Sequence, residues 1–509
     1  MFIIILILFI FILLIYNYYV HYERNNRLLN LIPGPSGYPI IGNALQCYVS
    51  VEELWKLACT LMNEYYPFFK FGGFFVYGVC ISHPDDLETI LSSTKYIEKG
   101  RLYNLLHPWL NTGLLTSKGV KWQTRRKILT PTFHFNILNQ FVDIFIKEGD
   151  CMTKSLKNVE ISVVKDLSSF ISEHTLNAIC ETAMGVSLQK LGEFQKQYRN
   201  AINEIVELMI YRAVKPWFYN DMLFSLTPQG RKQKKVLKIL HGFTEKIIAE
   251  RKLYHQLNNH QYLKNLENNE ETEDVEIFKI KKKRLAMLDL LIAASQENSL
   301  TDLDIREEVD TFMFEGHDTT AAGIMYTLLL LAEHRDIQER VRIEIDNVMQ
   351  ENEGKLNMSS LQNLSYLERC IKEALRLYPS VFFILRNPGE DVKLQSYIVP
   401  SGTILYLNIY GVHRDPNFWP NPEVFDPDRF LPERIQGRHP YCYIPFSAGS
   451  RNCIGQRFGM LEMKALIAPL VYNFYLEPID YLKDIQLKFD IILRPSHPVH
   501  LKFIPIKCK

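Results

Sequence analysis

The pattern of apolar and polar positions divides the chain into segments of different character. Residues 1–20 are almost wholly apolar and contain no charged side chain. From 120 to 380 the apolar positions recur with helical periodicity. Extended segments punctuated by prolines lie at 65–84 and 381–410, where short paired strands are expected. The sequence therefore predicts a mainly α fold with small β-sheets, an α+β architecture in a single catalytic domain.

The apolar run at the N-terminus predicts an uncleaved membrane anchor. About 20 helical residues at ~1.5 Å each span ~30 Å, enough to cross a bilayer. A signal peptide is disfavoured, because no basic segment precedes the run and no small-residue cleavage site follows it. Arg24 and Arg27 follow the run, so the body is expected in the cytosol. We expect a single-pass anchor over 1–20, suited to the endoplasmic reticulum membrane, a linker with a proline-rich hinge over 21–45, and the catalytic domain over 46–509.

Composition narrows the class of protein. A formal net charge of +1 over 509 residues implies no bulk attraction to nucleic acid. The nine cysteines are scattered without a CxxC pair, which is typical of free thiols in a reducing compartment. The chain has no glycine-rich dinucleotide or phosphate loop. Any electrons that it uses must therefore come from another chain.

The most informative motif is the decapeptide 446–455, in which one cysteine stands among two glycines and an arginine. Gly449 and Gly455 let the main chain approach a bound group closely. Such a loop suits a Cys453 thiolate against a haem iron, where it favours O–O cleavage; the alternative is a buried cysteine in a turn. The loop resembles the haem-binding loop of the cytochrome P450 superfamily through the spacing of Phe446, Gly449, Arg451, Cys453 and Gly455. This resemblance implies the P450 fold and a haem b whose iron is bound by Cys453.

Residues 301–334 predict one long helix, capped by Asp302 or Asp304. Glu315, Gly316 and Thr319 are expected on one face of it, with Gly316 giving a flat macrocycle or O2 room to approach.

The same helix contains a candidate proton relay. Asp318 and Thr319 place an acid beside an alcohol, which can deliver protons to bound oxygen. The alternative is that both side chains satisfy local backbone groups. The helix resembles the oxygen-binding helix of the superfamily, which implies the relay as the catalytic pair.

The block around Glu315 also resembles the fatty-acid ω-hydroxylase family, family 4 of the superfamily. In that family the glutamate at this position can form an ester with a haem methyl, so a covalent haem link through Glu315 is a hypothesis, with an unesterified carboxylate as the alternative. One departure concerns the pocket wall, since a proline is expected where Phe382 stands.

Two further groups of charged residues have predicted roles. Glu373 and Arg376 lie three apart on a helix, where such a pair is usually exposed unless the helix is packed. The resemblance adds Arg429 as a third member, in a structural network that locks the cysteine loop. Haem propionates need cations, and the resemblance assigns this role to four residues: Trp122, Arg126, Arg386 and Arg451. His317 and His413 lack the spacing of a zinc site and are expected to be structural.

The resemblance implies a monooxygenase that inserts one oxygen atom from O2 into a lipophilic substrate, either a fatty acid or a foreign compound. Electrons would come from NADPH through a membrane-bound flavoprotein reductase, with cytochrome b5 as a further candidate partner. Basic residues predicted to dock the acidic reductase are Lys121, Arg125, Lys127 and Arg438. The alternatives are a haem-thiolate isomerase or dehydratase, which needs no external electrons, and a non-enzymatic haem gas sensor.

Overall fold

The computed structural model describes residues 4–8, 10–12, 15, 23–38, 40–73, 76–157, 162–188, 192–258, 286–296 and 300–506. Within the predicted anchor, 4–8, 10–12 and 15 are helical and exposed, and its other residues lie outside the described ones. Among the helices of the described residues, none combines the length and hydropathy that a membrane crossing requires.

Helices make up most of the described chain. In chain order they are α1 (Arg24–Leu31), α2 (Val51–Glu64), α3 (Pro84–Leu91), α4 (His107–Leu110), α5 (Gly119–Leu129), α6 (Phe135–Lys157), α7 (Leu167–Ile179), α8 (Gly192–Ala213), α9 (Asp221–Ser225), α10 (Pro228–Leu257), α11 (Met287–Gln296), α12 (Asp302–Glu333), α13 (Arg335–Glu351), α14 (Met358–Asn363), α15 (Ser365–Leu377), α16 (Ile409–Val412), α17 (Pro432–Ile435) and α18 (Gln456–Asn473).

The strands are short and form small sheets. They are β1 (Phe68–Gly73), β2 (Val76–Ile81), β3 (Val163–Asp166), β4 (Phe383–Arg386), β5 (Val392–Lys393), β6 (Ile398–Val399), β7 (Ile404–Asn408), β8 (Phe474–Pro478), β9 (Leu487–Lys488), β10 (Arg494–Pro495) and β11 (His500–Pro505). A four-stranded sheet has the order β1-β2-β7-β4, with β2 and β7 parallel, and a three-stranded sheet has the order β3-β11-β8. β9 pairs with β10, and β5 with β6.

Helix α12 passes through the centre of the larger hydrophobic core, against α7, α15 and α18. It is buried along nearly all of its length. Its C-terminal part, from Ala321 to Ala332, is apolar on nearly every side, whereas its N-terminal half buries charged residues such as Asp310 and Asp318. Its start is fixed by a capping box: Thr301 Oγ1 accepts from Asp304 N (3.2 Å), and Asp304 Oδ2 accepts from Thr301 N (2.9 Å). Thr301 is therefore the cap, not Asp302 or Asp304 as predicted.

The predicted mainly α fold with small sheets is confirmed. Both extended segments of the prediction hold strands, β1 and β2 in the first and β4 to β7 in the second. The sequence analysis missed β8 to β11 in the C-terminal segment. It also missed β3, which interrupts the segment predicted as helical and pairs with β11.

Candidate functional site

Backbone contacts fix the shape of the cysteine loop. Cys453 N donates to Phe446 O at 2.9 Å, closing the loop ahead of α18. Gly449 has a φ of +72°, and a Cβ there would lie 1.8 Å from the carbonyl oxygen of Leu91. This position therefore requires glycine, on grounds of both conformation and space. Gly455 has an ordinary φ of −91°, and a Cβ there would lie 3.9 Å from Cys453 Sγ, beside the space in front of the sulfur.

The Cys453 thiol lines an internal space. Of the described cysteines, it is the one whose side chain is exposed, although protein atoms surround the sulfur closely enough to desolvate it. Burial, followed by the charge of Glu315, raises the pKa of Cys453 to about 11, while a hydrogen bond from Gly455 N and the charge of Arg126 lower it. The sulfur thus shares one neighbourhood with the middle of α12 and has the backbone donor that a thiolate ligand needs.

Glu315 and Thr319 lie one turn apart on α12. Thr319 Oγ1 donates to Glu315 O at 2.6 Å, and Ser380 Oγ donates to Thr319 O at 2.7 Å. Burial raises the pKa of Glu315 to about 7, opposed by the charges of Lys99, Arg126 and Arg451. The Thr319 hydroxyl is therefore positioned by its own helix, next to a desolvated carboxyl group.

Gly316 does not lie on the face that was predicted. A Cβ at Gly316 would come within 2.7 Å of Ile179 Cδ1 on α7. Because successive residues of a helix point about 100° apart, Gly316 faces the packing of α7 against α12 while Glu315 faces the cation-lined space. Its small size serves helix packing rather than the approach of a macrocycle or O2.

Asp318 is buried and pairs with Arg494 on β10. Arg494 also lies 3.7 Å from Asp490. Among the described contacts, no hydrogen bond joins Asp318 to Thr319, so the acid and the alcohol of the predicted relay are neighbours in sequence without being bonded in space.

Four basic residues, Lys99, Arg126, Arg386 and Arg451, form a cluster around Glu315, which we call the cation cluster. Lys99, Arg386 and Arg451 are at most 8% exposed. Their hydrogen bonds in the described structure go to neutral acceptors: Arg386 to Leu385 O (2.9 Å), and Arg451 to the carbonyls of Ile97 (3.1 Å) and Ser117. No described carboxylate lies within ion-pair distance of any of the four.

The cation cluster fits an anionic group. Burial and then Arg386 lower the pKa of Arg451 to about 10, and burial followed by both arginines lowers the pKa of Lys99 well below its usual range. Buried cations are costly unless they are paired. A haem lying against Cys453 with its two propionates at this cluster would supply the missing negative charge.

Helix α5 carries two of the predicted propionate residues. Arg126 donates to Asn452 O (2.9 Å) and Asn452 Oδ1 (2.8 Å), which ties α5 to the residue before the cysteine. The Arg451 guanidinium lies over the Trp122 ring, 4.7 Å from its centroid. The Trp122 ring therefore helps to hold the Arg451 guanidinium group in position.

Glu373, Arg376 and Arg429 form a fully paired cluster, which we call the Glu373 network. Glu373 and Arg376, both wholly buried, form a bidentate pair at 2.7 and 2.8 Å, and Arg429 Nε lies 3.2 Å from Glu373 Oε1. Arg376 also donates to His413 O at 2.9 Å. His413 Nε2 accepts from Ile444 N at 2.8 Å, and burial lowers the pKa of this histidine to about 3. The network thus connects α15 to the segment that enters the cysteine loop.

Neither predicted structural histidine has a metal-like environment. His317 is buried with Nδ1 2.8 Å from Met313 O. In the described part of the chain no cluster of three or more His, Cys, Asp or Glu could hold a metal ion.

An apolar cavity of about 300 Å3 lies between the four-stranded sheet and α8, and no charged side chain is among its described lining residues. Its inner end includes Tyr103 and Leu385, next to the cation cluster. Phe382 is not among the residues that line the apolar cavity. It is fully buried and packs edge-on against Trp55, with ring centroids 5.0 Å apart, and against the lining residue Phe489, at 5.4 Å. Phe382 thus replaces the expected proline with an aromatic support.

Two of the four predicted docking residues, Lys121 and Arg125, form ion pairs with acidic residues of α12. Arg125 is buried and pairs with Asp304, and Lys121 Nζ lies 2.6 Å from Glu307. Arg438 lies over Trp419 at 4.2 Å and donates to Arg429 O. Lys127 is the exposed member of the set. Burial removes Arg125 from a docking surface, whereas 37% of the Lys121 side chain is exposed although its charge is paired.

Sequence reasoning missed three residues of the site, Lys99, Asn452 and Arg494. Lys99 and Arg494 belong to no motif, and Arg494 is 176 residues from its partner Asp318. Asn452 stands inside the decapeptide, where its place beside Cys453 was an available signal.

Comparison with known proteins gives concordant matches. The family described as Cytochrome P450 matches residues 32–503. Cytochrome P450 4c21 of Blattella germanica is 40% identical over 490 residues, covering 95% of both chains. Cytochrome P450 4c3 of Drosophila melanogaster is 41% identical, over 96% of this chain and 92% of that one. Cytochrome P450 4V2 of Homo sapiens is 38% identical, over 94% and 91% respectively.

Proposed function

The chain belongs to the cytochrome P450 family and is a haem-dependent monooxygenase, and on that premise we propose that it hydroxylates fatty acids near the terminal carbon. The observation that carries this proposal is the apolar cavity, whose uncharged lining suits an alkyl chain and whose inner end reaches the cation cluster. A foreign lipophilic compound is the competing substrate class.

Spectral titration of the purified holoprotein separates these two classes. We expect saturable substrate-type shifts with dodecanoic acid and longer fatty acids, together with NADPH- and reductase-dependent formation of the terminal alcohol. A panel of foreign lipophiles serves as the comparison. Tight binding and turnover of that panel with no response to fatty acids would contradict the proposal.

Each residue of the site has a proposed role toward haem b. When bound, haem b supplies the activation of O2, using NADPH-derived electrons from a reductase. Cys453 Sγ is the proposed iron ligand, and Phe446, Gly449 and Gly455 shape its loop. Arg126, Arg386 and Arg451 hold the propionates with Lys99, and Trp122 supports Arg451. The Glu373 network holds the approach to the loop in place through His413 and Ile444.

Glu315 is proposed to form an ester with a haem methyl group. A methyl C–H bond would be replaced by a C–O bond to the carboxylate, and O2 with the NADPH-derived electrons of the monooxygenase reaction would supply the two-electron oxidant. Its buried carboxyl group is close enough to Lys99, Arg126 and Arg451, and to the Cys453 sulfur, for their charges to act on one another. Mass spectrometry of peptides after acid and organic extraction tests this link, since haem should stay on the peptide that contains Glu315. Complete release of haem would reject it, and Glu315→Gln is the matched control.

Thr319 and Asp318 are proposed to move the proton. Thr319 Oγ1 holds the proton at the end of the relay nearer the cation cluster. Asp318 supplies the next proton to Thr319 once its carboxylate has left Arg494 and contacts water. Thr319→Ala should raise peroxide released per NADPH consumed, without changing the carbon-monoxide difference spectrum. Asp318→Asn should slow turnover and enlarge the solvent isotope effect. Unchanged coupling in both variants would contradict the relay.

The reductase is proposed to dock on the cysteine side through Lys127 and Arg438, with cytochrome b5 as a second partner. Lys127→Glu combined with Arg438→Glu should slow reduction in a salt-dependent manner, while unchanged rates would reject this surface.

The protein is proposed to reside in the endoplasmic reticulum membrane with its body in the cytosol. The apolar run over 1–20 supports this. The exposed apolar side chain of Trp217, which follows the cavity-lining residue Pro216, adds to it. Glycosylation at Asn357 would contradict this topology.

A further inference from the structure

A second cavity, of about 560 Å3, adjoins the apolar cavity. Its lining includes the exposed residues Tyr48 and Val49, so it lies on the outer side. The two cavities share five lining residues: Cys47, Leu54, Ile210, Val214 and Phe489. The two cavities are therefore adjacent, and the inner one extends along the four-stranded sheet to Tyr103 and Leu385 beside the cation cluster.

The charged lining residues of the two cavities are confined to the outer one. Glu207, Lys215, Lys488 and Asp490 line the outer cavity, whereas the described lining of the inner cavity is uncharged. Lys488 Nζ is balanced by two carboxylates, at 3.8 Å from Glu207 and 3.6 Å from Asp490.

Lys215 is different, because no described carboxylate lies within ion-pair distance of its ammonium group. Its Nζ lies 3.4 Å from the ring centroid of Tyr211 and 5.3 Å from that of Tyr48. The two rings steady the ammonium group through cation–π attraction without neutralising it. The outer cavity therefore has one positioned positive charge that is available to a ligand.

We propose that Lys215, steadied by Tyr211 and Tyr48, binds the carboxylate of a fatty acid whose alkyl chain runs inward through the apolar cavity. This inference rests on the proposed function and adds the direction in which the substrate lies. An acid held at the mouth by its head presents its methyl end to the space beside Cys453. Oxidation near the terminal carbon then follows from where the head is held.

Spectral titration of the holoprotein with dodecanoic acid and methyl dodecanoate tests the subsite. Lys215→Met should weaken binding of the acid about tenfold, the loss expected for one charge-assisted hydrogen bond. Binding of the ester, which has no charge to lose, should stay unchanged. Lys215→Glu should weaken binding of the acid further. Lys234→Met, a change at an exposed lysine on α10, is the matched control and should leave both affinities as in the wild type.

Product analysis gives a second readout. In Lys215→Met, hydroxylation of dodecanoic acid should spread from the terminal carbon to internal carbons, because the head is no longer fixed. Equal loss of acid and ester binding, an unchanged affinity for the acid, or a loss seen in Lys488→Met alone would each overturn the subsite. A wild-type protein that binds the acid through Lys215 and yet forms no hydroxylated product would refute the proposed function and leave the subsite standing.

Discussion

The Glu373 network and the cation cluster are both buried groups of charges, and they differ in how those charges are balanced. In the Glu373 network each charge has a partner: Glu373 binds Arg376 through two contacts and also lies 3.2 Å from Arg429. In the cation cluster the charge of Glu315 acts on Lys99, Arg126 and Arg451, but no described carboxylate forms an ion pair with any of the four basic residues. Arg386 and Arg451 donate to neutral carbonyl oxygens instead.

This difference separates a structural site from a ligand site. A buried pair that is fully hydrogen-bonded needs nothing more and fixes the backbone around it. An excess of buried cations destabilises the protein alone and is compensated when an anionic ligand binds. Charge balance in the interior is thus the physical ground for the proposal that the Glu373 network serves folding and the cation cluster binds the cofactor.

Removing the carboxylate of the Glu373 network should have the largest effect. Glu373→Ala leaves two buried guanidinium groups without their shared anion, which costs about 3–5 kcal/mol. We expect little or no folded holoprotein, measured by the carbon-monoxide difference spectrum and by urea unfolding of any recovered protein. Wild-type stability in this variant would contradict the structural role proposed for the Glu373 network.

Removing one member of the cation cluster should stabilise the protein without haem and weaken its hold on haem. Arg386→Leu relieves repulsion with Lys99 and Arg451, so the apoprotein should gain roughly 1–2 kcal/mol. In a Glu315→Gln background, which cannot form the ester, Arg386→Leu should make haem dissociate faster, as measured by its transfer to apomyoglobin. Arg376→Leu is the control and should destabilise the apoprotein. Destabilisation of both forms by Arg386→Leu would contradict the assignment of the cluster to a ligand.

Asp310 on α12 supplies a third case, a buried carboxyl group with only distant cations. Its Oδ2 lies 3.9 Å from His241 and 3.8 Å from Arg306, and burial raises its pKa to about 8. The other ionisable groups that face it are Glu245 and Tyr198. Because the folded protein retains this proton after the unfolded chain has lost it, stability should fall as pH rises toward 8.

The titration of His241 limits the pH range in which the effect of Asp310 can be measured. Burial lowers the pKa of this histidine, which contributes a slope of opposite sign below about pH 6.5. Between about pH 6.5 and 8 the free energy of unfolding should fall by up to ~1.4 kcal/mol per pH unit. Asp310→Asn should flatten the decline, and an unchanged slope in that variant would refute the assignment to Asp310.

The smallest effect is expected at an ion pair that has the same sequence separation as Glu373 and Arg376 but a half-exposed carboxylate. Glu339 and Arg342 are also three residues apart, but 48% of the glutamate side chain is exposed. Glu339→Ala should change the free energy of unfolding by no more than about 0.5 kcal/mol in urea titrations. A loss comparable with that of Glu373→Ala would show that burial does not govern the comparison.

Sequence reasoning predicted the features that local pattern determines. The periodicity located α12 to within one residue of its ends, and residue spacing located the cysteine loop and the pair formed by Glu373 and Arg376. It failed where the outcome depends on distant partners. Nothing within the helix shows that Gly316 meets Ile179 or that Asp318 meets Arg494, because both contacts depend on how separate elements pack.

The glycine at 449 also bears on how the gene for this protein can vary. With a φ of +72° and the carbonyl oxygen of Leu91 only 1.8 Å from where a Cβ would stand, even alanine cannot be accommodated without moving the backbone of the cysteine loop. We therefore expect missense changes at this codon to impair the protein. In a saturation mutagenesis library under selection for activity, glycine codons should be strongly enriched here.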